Sequence, residues 1–381
     1  MYADKREPMI EQWLSEDIDQ WTKRIVRRHF DPVTGSPYWL GRAAALSFDP
    51  RDITRYEELS AFGIFPLSEL RTLDPADLVP MDLPRPLSGR IWESDGASGV
   101  CRIYYSEPML EHCLAWRRWE DGREGFEPGK NWLLATPTGP HIMSHWARGM
   151  AEFHGARVYS IDFDSRWLMR QLRAGQMREA MRYTDHGVDQ IVAILTTQPV
   201  DYICTTPALL RALSRREPDL VARLKGARLG GTHVTPEMWR ILTKALDPGL
   251  LTVNYGSMFG NAFMLRVLEE GELIAYAPNY PHVTMAVVDT SDWTRVVDYG
   301  EDGRIRLTVM HEDLFLPNIL EHDLAMRYDT GDEWPCDGVA NVHPLAGINK
   351  ARSPSVYAQI RLAQLRSSRG RQAVSGKPRT D

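Results

Sequence analysis

From Arg90 to about Tyr255, short apolar runs alternate with amphipathic stretches. NWLLAT, ARVYSI, VDYICT, ARLGG and LLTVNY have the length and apolar content of buried strands. Between them lie helical patterns: MLEHCLAWRRW would bury Leu110, Cys113, Leu114 and Trp116, and GVDQIVAILTT would bury Val188, Ile191, Val192 and Leu195. Thr206-Pro207 and Thr235-Pro236 each offer an N-cap hydroxyl followed by proline at the first helical position. Strands alternating with helices predict βαβ units, hence an α/β fold with a mixed, mostly parallel sheet flanked by helices. The first 90 residues read differently. EQWLSEDIDQWTKRIVRRHF places Trp13, Ile18, Trp21 and Ile25 at helical spacing, and DITRYEELSAFGIFPLSEL suggests a short helix, a turn and another helix start. VPMDLPRPLSG is too rich in proline for a helix or a central strand and is read as a connector. After Tyr255, VTMAVVDTSDWTRVVDYGEDGRIRLTVM predicts two strands of an antiparallel β subdomain around a Gly/Asp-rich turn. SSRGRQAVSGKPRTD, from Ser367, has no apolar periodicity and is expected to be a disordered tail. No internal repeat is found.

Composition narrows the class. With 381 residues, 43% hydrophobic and 25% charged, the chain can bury the core of one large domain or two fused lobes. A net charge of -6 argues against a nucleic-acid binder, which needs a basic surface. Cys101, Cys113, Cys204 and Cys336 form neither a CxxC pair nor a zinc spacing, as expected in a reducing cytoplasm. MYADKREPMIEQW is charged from its start, so no signal peptide is expected. No apolar run reaches the roughly 20 residues that span a bilayer. The expectation is a soluble cytoplasmic protein without nucleic-acid or membrane partners.

Four segments can carry chemistry. Ser94-Asp95-Gly96-Ala97-Ser98-Gly99 offers small residues whose N–H groups and hydroxyls can surround anionic oxygens, although it lacks a Walker ending. Gly230-Gly231-Thr232 ends a strand just before a helix, where ligands of open α/β sheets sit and where glycines let a flat ring approach. Asn254-Tyr255-Gly256-Ser257 ends another strand, with a ring to face a purine and a hydroxyl to donate. Arg327-Tyr328-Asp329-Thr330-Gly331-Asp332 holds a carboxylate on a turn, suited to two vicinal hydroxyls. Each alone is as easily an ordinary turn. There is no HExxH, GxSxG or GxGxxG.

In this order and spacing the four segments resemble the core motifs of the adenylate-forming (acyl-AMP ligase) superfamily. SDGASG resembles its phosphate loop, ARLGGTHVTPEMWRIL its adenine-bordering segment, VNYGSMFG its Tyr-Gly-x-Thr-Glu motif and RYDTGD its Tyr-Arg-Thr-Gly-Asp motif. HFDPVTGSPYW, ITRYEELSAFGIFPLSEL and PTGPHIMSHWARGMAEFHGARVYSID are most similar to the phenylacetate-CoA ligase branch. The length resembles truncated relatives in phenazine-antibiotic biosynthesis that lack the C-terminal domain. The resemblance covers roughly residues 25–335 and implies the superfamily's large domain over 1–335, with a helical region to about 90. Residues 336–381 would be a short remnant and tail, in place of the usual small domain.

By the resemblance, Ser94, Gly96, Ala97, Ser98 and Gly99 would touch phosphates; Gly230, Gly231, Thr232, Tyr255, Gly256 and Ser257 would border the nucleotide; and Asp332 would bind the ribose. His141, Trp146, His154, Met258 and Phe259 would face the acyl pocket. ATP is the implied cofactor, with Mg2+ admitted although Phe259 replaces its usual Glu ligand. Val100 stands where the family has a Lys, and Lys350 and Arg352 are read as surface residues. No metal ligand is assigned; Glu93, or Glu312 with Asp313, could supply a carboxylate. The implied reaction is ATP-dependent activation of an aromatic or other organic carboxylate, with thioester formation doubtful because the family's small domain admits the thiol. A non-catalytic binder or carrier of the acid or its adenylate is the alternative. So is amide or N–N bond formation with a partner enzyme supplying a Lys. A homodimer is compatible with either.

Overall fold

The computed structural model describes residues 8–94, 99–143, 145, 149, 155–268 and 271–345. The chain opens with helices α1 (Pro8–Leu14), α2 (Ile18–His29) and α3 (Pro37–Ala43), then 3-10 turns at Pro50–Asp52, Tyr56–Phe62, Glu69–Arg71 and Pro75–Leu78. The single helix suggested by the Trp13–Ile25 spacing is two. Asp17 adopts extended backbone and accepts from the amides of Asp19 and Gln20, so it starts α2 afresh. Trp13 and Trp21 consequently enter different hydrophobic clusters.

Strands β1 (Gly89–Glu93) and β2 (Arg102–Ser106) form an antiparallel pair that leads into helix α4 (Glu107–Glu124). The predicted runs then appear as a five-stranded, wholly parallel sheet. Its strands are β3 (Trp132–Ala135), β4 (Val158–Ser160), β5 (Tyr202–Thr205), β6 (Gly226–Leu229) and β7 (Leu250–Val253), in the order β4-β3-β5-β6-β7. Helices α5 (Ser165–Arg173), α6 (Met177–Thr197), α7 (Pro207–Arg216), α8 (Pro218–Ala222) and α9 (Pro236–Leu246) connect them. The strands β3, β5, β6 and β7 are mostly apolar because both faces are covered; Arg228 on β6 is buried with a charge. Trp132 and Leu134 pack with Phe126, Tyr202 and Cys204 on one face, while Leu133, Ala135 and Ile203 join the main core on the other.

The rest of the chain builds a seven-stranded antiparallel sheet from β8 (Tyr255–Ser257), β9 (Gly260–Leu268), β10 (Leu273–Pro278), β11 (Val283–Val288), β12 (Asp302–His311), β13 (Leu314–Tyr328) and β14 (Gly338–Pro344). Its order is β11-β12-β13-β14-β10-β9-β8. Strand β14 pairs with β13 on one side and β10 on the other, so the sheet runs past the boundary expected at residue 335. The expected disordered tail, Lys350 and Arg352 lie outside the described residues. No helix among the described residues is long and apolar enough to cross a membrane. All four cysteines are free.

Candidate functional site

Register sets the site. Thr205 lies opposite Leu229, and Leu229 opposite Val253, so β5, β6 and β7 end level. The next residues, Thr206, Gly230 and Asn254, stand side by side beyond the carboxyl ends of the strands. The Gly230 amide donates to Thr205 O (3.2 Å) and the Asn254 amide to Leu229 O (2.9 Å), which extends the ladder by one step. This row floors a cavity of about 530 Å3, within the range of a small-molecule site. Thr206 also caps α7, accepting from the Leu209 amide (3.3 Å), so a helix N-terminus with its partial positive charge opens at the cavity.

Two glycines are required, one by space and one by backbone conformation. A Cβ at Gly256 would lie 2.6 Å from Gly260 O, which is backbone. Gly231 has φ +81, the left-handed region that side chains avoid. Ser94, Gly99, Gly230, Gly231, Thr232, Gly256 and Ser257 all line the same cavity, with His141, Met258 and Phe259 from the expected acyl pocket. Leu67, Ile142, Phe163 and Leu168 complete an apolar wall. Ser94 closes the β1–β2 loop: its amide donates to Cys101 O (3.0 Å) and its hydroxyl accepts from the Cys101 amide (3.1 Å). Gly96, Ala97, Ser98, Trp146 and His154 lie outside the described residues.

Asp332, expected to bind the ribose, stands apart from this cavity. Asp332 sits on an exposed 3-10 turn, Gly331–Glu333, and does not line the cavity. Trp334 holds that turn: it is buried among Trp116, Trp119 and Phe263 and donates to Pro278 O (3.0 Å). Neighbouring Glu333 is tied to Arg266, well along β9. The carboxylates beside the nucleotide-like turns come instead from mid-β13. Ser257 Oγ donates to Glu321 (3.2 Å), and Tyr255 OH donates to Asp323 (3.2 Å). Four residues, and so five steps of about 3.3 Å, separate Asp323 from Tyr328, the end of β13 that leads into the Asp332 turn. Neither Tyr255 nor Asp323 lines the cavity, whereas their neighbours Gly256, Ser257 and Glu321 do. Burial, then Glu321 and Asp323, hold the Tyr255 phenol well above the usual value, so it remains a neutral donor.

The cations of the cavity are arginines: Arg117, Arg173 and Arg228 line it, and no lysine does among the described residues. Helix α4 presents Arg117, Glu120, Asp121 and Glu124 on one buried or half-buried face, at the three-and-four spacing of neighbours on a helix. Arg117 bridges Glu120 (2.8 Å) and donates to Asn254 Oδ1 (3.1 Å), while Asn254 Nδ2 donates back to Glu120 (3.3 Å). Arg228, on β6, pairs with Asp121 (2.5 Å) and with Glu124 and lies over Phe126. Three carboxylates thus face two guanidinium groups, and burial pushes Glu120 up to about 7. These charges were missed in the sequence because MLEHCLAWRRWEDGRE was read for its apolar face alone; the charged spacing was the available signal.

The carboxylates suggested as metal ligands are otherwise engaged. Glu93 lines the cavity but bridges both Arg102 (2.9 Å) and Arg166 (2.8 Å). Glu312 is exposed beside Arg24, as expected for a strand end. Asp313 is buried, accepting from Ser106 (2.6 Å) and bridging Arg28 (3.2 Å), so it fixes the start of α4.

No protein-family model matches the sequence, and no curated protein matches it. The fold has known counterparts. A crystal structure of 2-hydroxyisobutyryl-CoA ligase in an open conformation, in complex with 2-HIB-AMP and CoA, superposes with TM-score 0.60 at 14% identity, covering 85% of this chain and 72% of that one. The same ligase in its thioesterification state gives TM-score 0.60 at 15% identity, covering 87% and 67%. Its postadenylation state gives 0.58 at 14%, covering 84% and 65%. The α/β architecture is therefore shared with that ligase.

Proposed function

We propose that the cavity binds ATP with an aromatic or other apolar carboxylic acid and forms an acyl adenylate. The observation that carries this reading is the meeting, in one cavity, of small turns beyond level strand ends with an apolar wall. In the reaction an acid oxygen attacks the α-phosphorus, the bond to the β-phosphate breaks, and pyrophosphate leaves. The Gly230–Gly231 edge would admit a flat base. Tyr255 and Asp323 would hold ribose hydroxyls, a role first given to Asp332. Thr206 and the α7 N-terminus would meet phosphate oxygens, and Arg117 and Arg228 would lower the cost of negative charge developing nearby. Phe163, Met258 and Phe259 would exclude water from the acyl group, with His141 at the same wall.

Mg2+ usually binds one or two carboxylates together with substrate phosphates. Glu321, on the cavity wall beside Ser257, fits that requirement better than Phe259 or the doubly bridged Glu93. The ion would neutralise phosphate charge there. The motif resemblance to the phenylacetate-CoA ligase branch supports an aromatic acid and a specialised, phenazine-like antibiotic pathway as the setting.

A second reading, a binder that holds the acid or its adenylate without turnover, is favoured by Phe259 at the expected Glu position and by a cavity lined by arginines rather than lysines. ATP–pyrophosphate exchange with Mg2+ and a panel of aromatic acids separates the two. Acid-dependent exchange is expected for activation. Nucleotide binding without exchange would replace it with the binder.

A further inference from the structure

Away from the cavity wall, three histidines from distant parts of the chain converge. His112 projects from α4, His282 immediately precedes β11, and His311 ends β12. One ring nitrogen from each lies within 4.8 Å of the others. Ring centroids stand 5.0 Å apart for His112–His282, 4.5 Å for His282–His311 and 6.2 Å for His112–His311. Three imidazoles around one tetrahedral ion, at N–metal distances of ~2.0–2.1 Å, place their centroids about 5 Å apart. His282 and His311 are 1% and 5% exposed.

Four of the ring nitrogens are buried without a hydrogen-bond partner: Nδ1 of His112, both of His282, and Nδ1 of His311. Buried polar atoms are normally satisfied, so four orphans in one cluster indicate a missing partner. Burial lowers all three histidines, His282 and His311 well below the ordinary value, which keeps the imidazoles in the neutral form that binds metals. The Trp13 and Trp21 rings stand edge-on to His282.

We propose that His112, His282 and His311 form a site for a Zn2+-class divalent transition-metal ion, with a water as fourth ligand. Imidazole donors suit this class and not Mg2+ or Ca2+, which take oxygen. Beside two of the three rings there is space: a cavity of about 20 Å3, lined by His282, His311 and Asn279 and also by Arg117 and Glu120, is large enough for one water. Asn279 Oδ1 is a further buried acceptor without a partner on that wall, ready to take the water's proton in a hydrogen bond. The ion would clamp α4 to the antiparallel sheet. Because α4 also carries Arg117 and Glu120, it would steady one wall of the main cavity.

The test uses the purified full chain, stripped with chelator and titrated with Co2+ and then Zn2+. The expected result is one Co2+ per chain with the intense visible absorption of a tetrahedral ion, displaced by Zn2+, and a rise in unfolding temperature with Zn2+ but not Mg2+. His112→Gln, whose ring is only partly buried, should fold and lose at least tenfold in Zn2+ affinity. His186→Gln, on the exposed face of α6, should bind as the parent does. A weak octahedral Co2+ spectrum in the parent, or equal Zn2+ affinity in the parent and His112→Gln, overturns the proposal. The parent spectrum decides even if a histidine variant fails to fold.

Discussion

At the residue scale, the informative pair is Asp323 and Asp332. RYDTGD has the right chemistry for holding vicinal hydroxyls, and a sequence comparison of motifs selects it. What moves it away is packing: Trp334, two residues on, is drawn into an aromatic cluster, and the turn goes with it. The strand residues Glu321 and Asp323 carry no motif, so nothing short of sheet register could reveal them. If Asp323 rather than Asp332 meets the ribose, Asp323→Asn should weaken nucleotide binding about tenfold, the loss of roughly 1.4 kcal/mol expected for a hydrogen bond to a charged acceptor. Asp332→Asn should change it less than about twofold. Equilibrium titration with a fluorescent ATP analogue measures both; the reverse ranking would return the role to RYDTGD.

At the element scale, the five parallel strands and the caps of α7 and α9 were legible because their signals are local. A strand buried on both faces is mostly apolar, and Thr-Pro fixes a helix start within two residues. Strand β13 was not legible for an equally local reason. Its Pro317-Asn318 step reads as a turn, yet the strand continues through a register shift, with Asn318 at φ 55. Asn318 is satisfied there by donating to Leu59 O (2.7 Å) and Gly63 O (3.0 Å), contacts more than 250 residues away in sequence. Helix α4 combines an apolar face with a buried charged one, which no single periodicity describes. Its charges depend on Arg228. Arg228→Met would leave Asp121 and Glu124 buried without their cation, and should cost about 3–5 kcal/mol. Urea unfolding measures the loss, and adding Asp121→Asn with Glu124→Gln should recover part of it. An unchanged midpoint for Arg228→Met would mean that the carboxylates find other compensation.

At the scale of the whole molecule, the two sheets meet where β7 runs into β8 through Asn254, and that junction puts Tyr255, Gly256 and Ser257 opposite mid-β13. The site is thus a consequence of topology: level parallel strand ends supply small turns, and the antiparallel sheet supplies acids. Most of the turns were readable as motifs, whereas the arginines and acids became visible only with the fold. The most direct test of the account is calorimetric titration of the folded chain with a non-hydrolysable aryl-sulfamoyl adenosine, beside Gly256→Val. The account predicts saturable one-to-one binding by the parent. It predicts none by Gly256→Val, because a Cβ there meets the Gly260 carbonyl at 2.6 Å and displaces the wall. Absence of binding by the parent, or equal binding by both, would contradict it.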